Sequence, residues 1–192
     1  MSALVQTFCK LRAPAIVAVS VALAVAGCGS SSTSKTVSPA AYVKSVCTSA
    51  ASWFGTIQTA GGRLQSTVHG SKSLNEVKTA YVAFIDALLH ATQRVEQELK
   101  AAGTPSVSGG SKISTEVVHA FDDAKRGLTG ADARVRKTPT SSATAFETAA
   151  AGVQQTVQEA LRGMASLAPQ KNPELHAAAQ KEPSCRRLRS IG

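Results

Sequence analysis

The chain has 192 residues, with 21 Lys or Arg against 12 Asp or Glu, and its formal net charge at neutral pH is +9. Aromatic residues make up only 4% of the sequence, so the stacking platforms that single-stranded nucleic acids need are missing, and we expect no nucleic-acid partner. The length suits one domain with a substantial hydrophobic core.

The first 27 residues have the pattern of a secretory signal. Lys10 and Arg12 supply a positive start, and residues 13–26 then run without a charge. An apolar run of this length is short for crossing a bilayer but suits the core of a signal peptide. These two basic residues leave with the signal, so 19 remain against 12 acidic ones, a net charge of +7.

The signal ends in Leu23-Ala24-Val25-Ala26-Gly27-Cys28, which resembles the bacterial lipobox. Its one departure is Val25, where the lipobox more often has Leu. The resemblance implies that a diacylglyceryl group is attached to Cys28 before cleavage, and that lipid holds the mature chain on the outer face of the cell membrane. Two acyl chains are enough for stable anchoring. Residues 28–38 are rich in Ser and Thr and predict a flexible tether.

A helical bundle is predicted for residues 39–185. Ser38 has the properties of an N-cap, and Pro39 suits the first turn of the first helix. Apolar residues recur at helical spacing along it, namely Val43, Val46, Cys47, Ala50, Trp53, Phe54, Ile57, Leu64 and Val68. Gly61 and Gly62 either end this helix or lie inside it, and the sequence leaves both possibilities open.

The second helix begins at a capping box, Ser73-Leu74-Asn75-Glu76. Gly103 with Pro105 behind it ends the helix, and residues 106–110 form a loop. A third helix is predicted from about Ser111 to Lys137, a fourth from about Ser141 to Leu167, and a short fifth from Pro173 to Lys181. No segment alternates as a half-buried strand would, so no strands are expected.

Four long helices with short loops favour up-down-up-down packing, in which the fourth helix ends beside the start of the first. Of the four cysteines, Cys9 leaves with the signal and Cys28 takes lipid. Cys47 and Cys185 remain, and in an oxidising compartment they are expected to form a disulfide that closes the bundle. Two independent buried thiols are the alternative.

One sequence pattern resembles a metal site. Glu116 and His119 are spaced as in di-iron carboxylate bundles. The helical phase places His119 opposite the core residues of its helix, and no second pair of this kind exists. His119 with Asp122 and Asp123 is better explained as a solvated polar face. We therefore expect no metal, cofactor or catalytic residue, and no enzymatic activity.

The C-terminal residues 186–192 form a basic tail that contains Arg186, Arg187 and Arg189. If the disulfide forms, these arginines lie at the tethered end of the bundle, where each contributes about 1 kcal/mol of attraction to an anionic membrane surface. A frayed, solvated terminus is the alternative.

The organisation of the chain resembles that of the small, alanine-rich, uncharacterised lipoproteins of actinobacteria. The shared features are the lipobox at Cys28, a helical body, and the paired Cys47 and Cys185 near its two ends. The resemblance implies an envelope location and no particular activity. We expect a non-catalytic protein that binds an envelope protein, an anionic polymer or lipid head groups.

The alternative is a carrier of a small apolar or lipid ligand. Trp53 and Phe54 could line its pocket, and a set of small residues could leave it space (Gly127, Gly130, Gly152, Gly163 and residues 149–151). Core packing is the other explanation for both features.

Overall fold

The computed structural model describes residues 35–165 and 172–189. Within them the chain is mostly helical, as the sequence predicts. The six helices are α1 (Pro39–Gly70), α2 (Leu74–Ala102), α3 (Gly110–Lys137), α4 (Ala143–Ala165), α5 (Pro173–Lys181) and α6 (Pro183–Arg189). Two strands of two residues accompany them, β1 (Thr36–Val37) and β2 (Thr104–Pro105). The predicted signal segment and Cys28 lie outside the described residues.

Side-chain caps fix where the helices begin. The Ser38 hydroxyl accepts a hydrogen bond from the Ala41 backbone N–H at 3.3 Å, and the Ser73 hydroxyl accepts one from Glu76 at 3.3 Å. The Glu76 carboxylate accepts from the backbone N–H of Lys72, the residue before the cap. These bonds satisfy amide donors that have no partner inside a helix, which confirms the two predicted helix starts.

The first helix passes through Gly61 and Gly62 without a break, which settles the question that the sequence leaves open. Two glycines inside a helix cost about 1 kcal/mol each. The apolar residues on either side, Ile57 and Leu64, pack against the core and offset that cost. A Cβ at Gly61 would lie 4.0 Å from the Phe84 ring, and one at Gly62 would have nothing within 4 Å. Close packing therefore does not require glycine at either position.

The prediction of no strands is wrong, because β1 pairs in parallel with β2. The Thr104 N–H donates to the Lys35 carbonyl at 2.9 Å, and the Ser106 N–H donates to the Val37 carbonyl at 2.8 Å. Residues 35–37, near the end of the predicted flexible tether, are thus hydrogen-bonded to the segment that follows α2. Two residues are too few to show the alternation by which a strand is recognised.

Consecutive long helices pack against each other, α1 on α2, α2 on α3 and α3 on α4, while α5 and α6 pack on α1. The largest buried cluster draws on α2, α3 and α4, with partly buried residues of α1 packed against it. A second cluster surrounds Trp53, whose indole N–H donates to the Thr92 hydroxyl at 2.8 Å. Trp53 is 1% exposed and meets Phe54 and Phe121 edge to face. This pair of aromatic residues therefore belongs to the core, and of the two explanations for it, packing is correct.

Two helix ends differ from the prediction. The sixth helix was not expected; it begins at Pro183 and carries three arginines that the sequence analysis placed in a separate tail (Arg186, Arg187 and Arg189). The fourth helix begins at residue 143, two residues after the predicted start, and its predicted end at Leu167 lies outside the described residues. Helix ends depend on local backbone bonds as well as on the apolar pattern, so they are the least predictable part of an element.

Candidate functional site

The predicted disulfide is present. Cys47 on α1 and Cys185 on α6 are bonded, and their Cα atoms lie 5.0 Å apart. Both residues are nearly buried, at 9% and 5% exposure. The bond fixes α6, a helix of seven residues that is far too short to be stable alone. The position of α6 on the domain is therefore set by covalent chemistry as well as by packing.

An apolar cluster surrounds this bond. Tyr42, Val43 and Leu175 are almost completely buried beside it. Val37 of β1 and Leu188 of α6 pack against the same cluster. The place where the chain enters the fold and the C-terminal helix therefore lie at one end of the domain. We call this the disulfide end; it consists of β1, residues 39–47, α5 and α6.

Cationic side chains lie on the surface of the disulfide end. Lys44, Arg186 and Arg187 are exposed, and we call these three residues the basic cluster. Arg189 is the last residue of α6, and its side chain lies outside the described part of the structure. Lys44 and Arg186 lie near each other, since both lower the pKa of the Glu182 carboxylate, and Arg187 is the next residue on α6. The sequence alone does not indicate Lys44, which lies 142 positions away from Arg186.

One carboxylate lies within this basic environment. The pKa of Glu182 is lowered, first by hydrogen bonds from the hydroxyl and backbone N–H of Ser184, and to a smaller extent by Lys44 and Arg186. Its charge is therefore engaged with the start of α6, where an acidic residue favours the helix dipole. The 32 residues of α1 contain no acidic residue at all, so Lys44 has no carboxylate on its own helix.

Tyr42 is tightly packed at the disulfide end. Tyr42 is 1% exposed, and burial raises the pKa of its phenol to about 12. A phenolate there would lose most of its hydration, so the neutral form is favoured over a wider pH range. The first turn of α1 is thus well packed at the disulfide end.

One nearly buried carboxylate is paired with two lysines. Glu96 on α2 is paired with Lys100 on the same helix and with Lys125 on α3, and its side chain is 10% exposed. The hydrogen bonds from Lys100 and Lys125 lower the pKa of Glu96 to about 2, although burial opposes this. Both lysines are engaged with Glu96, so the network links α2 to α3 and none of its three groups is a free acid or base.

The structure confirms the orientation that the sequence predicts for the candidate metal ligands. His119 is exposed on α3, whereas Val117 on the opposite side is fully buried. Asp122 lies 3.1 Å from the Lys125 ammonium, and Asp123 is paired with Arg126. Across residues 35–165 and 172–189, no three His, Cys, Asp or Glu side chains are arranged to hold a metal ion.

Grooves run between neighbouring helices in the described part of the chain. The first, of about 520 Å³, lies between the second half of α1 and the first half of α2, and we call it the α1–α2 groove. The second, of about 460 Å³, lies between α3 and α4 and is lined by Gly127 and Gly163. A Cβ at Gly127 would lie 3.1 Å from the Thr156 methyl group, and at Gly163 nothing lies within 4 Å. Small residues thus serve close packing at Gly127 and leave open space at Gly163.

No protein-family model, curated protein or solved structure matches this chain. No helix in the described part of the chain combines the length and apolar character needed to cross a membrane.

Proposed function

We propose that this protein is a lipid-anchored, non-enzymatic binding protein on the outer face of the cell membrane, and that its disulfide end docks on anionic lipid head groups. The observation that carries the proposal is that one apolar cluster joins Val37, where the chain enters the fold, to Leu188 on the helix that carries Arg186 and Arg187. The basic cluster is therefore at the end of the domain from which the tether leaves.

The length of the tether makes contact with the membrane possible. Seven residues lead from Cys28 to Lys35, and an extended chain spans at most about 25 Å over that number of residues. Lys35 itself is held by the β1–β2 pair. With lipid on Cys28, the disulfide end would thus stay within about 25 Å of the head groups, while the other end of a helix as long as α3 would lie about 40 Å further away.

Charge then favours one orientation. Each cation near an anionic surface contributes about 1 kcal/mol, so the three residues of the basic cluster would contribute about 3 kcal/mol. The disulfide holds Arg186 and Arg187 in place, so less conformational entropy is lost on docking.

We further propose that α1 to α4 form an up-down-up-down bundle, which the packing of each helix on the next supports.

Hydrogen exchange of the acylated protein in vesicles tests the docking. In vesicles that contain phosphatidylglycerol, amides of α6 and of the first turns of α1 should exchange more slowly than in phosphatidylcholine vesicles. The added protection should fade at high salt, because exposed charges are screened. The double variant Arg186→Gln/Arg187→Gln should lose most of the added protection, since about 2 kcal/mol corresponds to roughly 30-fold in the docking equilibrium.

A matched control removes the same charge elsewhere. Lys72 follows α1, Lys137 ends α3, and both are exposed at the end of the helices away from the disulfide. The double variant Lys72→Gln/Lys137→Gln should keep the added protection of α6. Equal protection of α6 in both kinds of vesicle, or equal loss in the two double variants, would contradict docking by the basic cluster.

A further inference from the structure

The α1–α2 groove has an apolar floor at the end of the helices away from the disulfide. Its floor is formed by small or apolar side chains of both helices, namely Ala60, Leu64, Ala80, Ala83, Phe84 and Ala87. Ala80, Ala83 and Ala87 follow each other at helical spacing, so one edge of α2 carries only methyl groups there. The missing side-chain volume on α2 is what opens the groove above Phe84.

The dimensions of the groove limit what it can hold. Its lining on α2 runs from Asn75 to Ala87, which corresponds to about 18 Å of helix. Its volume of about 520 Å³ falls within the range of small-molecule sites, about 300 to 1,000 Å³. A groove of this length and volume with an apolar floor suits one extended hydrocarbon chain.

The polar rim of the groove carries one uncommitted cation. Arg63 lines the groove from α1 and is exposed. Among the contacts within residues 35–165 and 172–189, its guanidinium takes part in no ion pair or hydrogen bond. Glu76 also lines the groove, and its carboxylate is turned to the loop after α1, where it accepts from the Lys72 backbone N–H at 2.8 Å. An arginine beside an apolar floor favours an amphiphile with an acidic head, because a guanidinium binds carboxylate and phosphate through paired N–H donors.

We propose that the α1–α2 groove binds a single acyl chain with an anionic head group, the chain lying on the alanines and Phe84 and the head group bound by Arg63. The site differs from the basic cluster in both position and chemistry, since the basic cluster has charge without a groove. The two proposals can therefore fail separately. A free fatty acid and a lipid with a phosphate head share the chemistry that the groove recognises.

Photolabelling of the full chain tests the site. The probe is a palmitic acid analogue with a diazirine in its chain, offered in phosphatidylcholine vesicles, and labelled peptides are located by mass spectrometry. Label should concentrate on residues 60–67 and 75–87. Ala83→Leu fills the groove with a good helix former at an exposed position, and it should reduce labelling there at least tenfold. Unlabelled palmitate and an unlabelled lysophospholipid, added as competitors, separate the two sources of the head group.

The head group is tested by a second variant and a second probe. Arg63→Gln should reduce labelling by the acid about tenfold, the lower end of what a charge-assisted hydrogen bond contributes. Labelling by the methyl ester of the same probe should be weak and should not change with this variant. Ala101→Leu, at an exposed position on the same helix outside the groove, is the matched control and should label like the unaltered chain. Labelling that is spread over the surface, or unchanged by Ala83→Leu, would overturn the proposal.

Discussion

Replacing both disulfide cysteines, Cys47→Ser with Cys185→Ser, removes the covalent link without leaving an unpaired thiol. The bond closes a loop with a sequence separation of 138 residues. A cross-link of that length lowers the entropy of the unfolded chain enough to stabilise the fold by about 5 kcal/mol. For a folded part of this size, the loss corresponds to a fall in Tm of about 15 °C.

The assay is thermal unfolding followed by circular dichroism, with the serine variant compared with the parent chain under oxidising and reducing conditions. Reduced parent and double variant should unfold at nearly the same temperature, well below the oxidised parent. Hydrogen exchange should show weaker protection across the whole fold, and α6 should lose its protection altogether, because a helix of seven residues cannot persist alone. A change in Tm of less than about 3 °C, or α6 amides that stay protected after reduction, would refute the reasoning that the disulfide holds this end together.

Three further predictions follow from particular contacts. Glu96→Gln should lower the free energy of unfolding by about 2 kcal/mol at pH 7. The difference in stability between parent and variant should disappear as the pH falls from about 4.5 to 2, because Glu96 becomes protonated in the folded parent over that range. Urea unfolding that shows the same difference in stability at pH 7 and pH 2 would contradict this. Between pH 10 and 12 the parent chain should lose stability that Tyr42→Phe retains, because the unfolded phenol ionises first; equal alkaline unfolding curves argue against it. Gly103→Ala should lower the free energy of unfolding by more than about 2 kcal/mol, since φ is +85° and the new Cβ would lie 2.2 Å from the Lys35 carbonyl oxygen. Gly109→Ala, where φ is +71° and no atom lies within 4 Å, should lower it by about 1 kcal/mol. Similar losses for the two variants in chemical unfolding would contradict the role of the close approach at Gly103.

The helices were predictable because their signals are local. Ser38 and Ser73 cap α1 and α2 where the sequence places them. The buried residues of α3 from Val117 to Val135 recur at helical spacing. A cap acts over one turn of helix and an apolar stripe over a few, so both can be recognised without knowing the rest of the fold.

Contacts between distant segments were not predictable in the same way. The pairing of β1 with β2 depends on two residues each and on the close approach of Gly103 to Lys35. The sequence shows that Glu96 can pair with Lys100 on its own helix, but the ion pair with Lys125 arises only when α3 packs beside α2. The basic cluster is a similar case, since Lys44 comes near Arg186 only through the fold.

The α1–α2 groove illustrates the remaining limit. Three alanines at helical spacing on α2 are visible in the sequence. Alanines at such positions serve close helix packing as readily as they open a groove, and only the distance to the neighbouring helix decides between these outcomes. The exposed Arg63 beside Leu64 likewise becomes a candidate for ligand binding only once α1 and α2 are placed together.

We propose above all that lipid on Cys28 holds this domain at the membrane. The most direct test is the intact mass of the protein, recovered from the membrane of cells that express the full chain. The account predicts a polypeptide that begins at Cys28, carries at least a diacylglyceryl group, and gains two hydrogens on reduction of the bond between Cys47 and Cys185. A chain that retains residues 1–27, or one that begins elsewhere without lipid, would contradict the account.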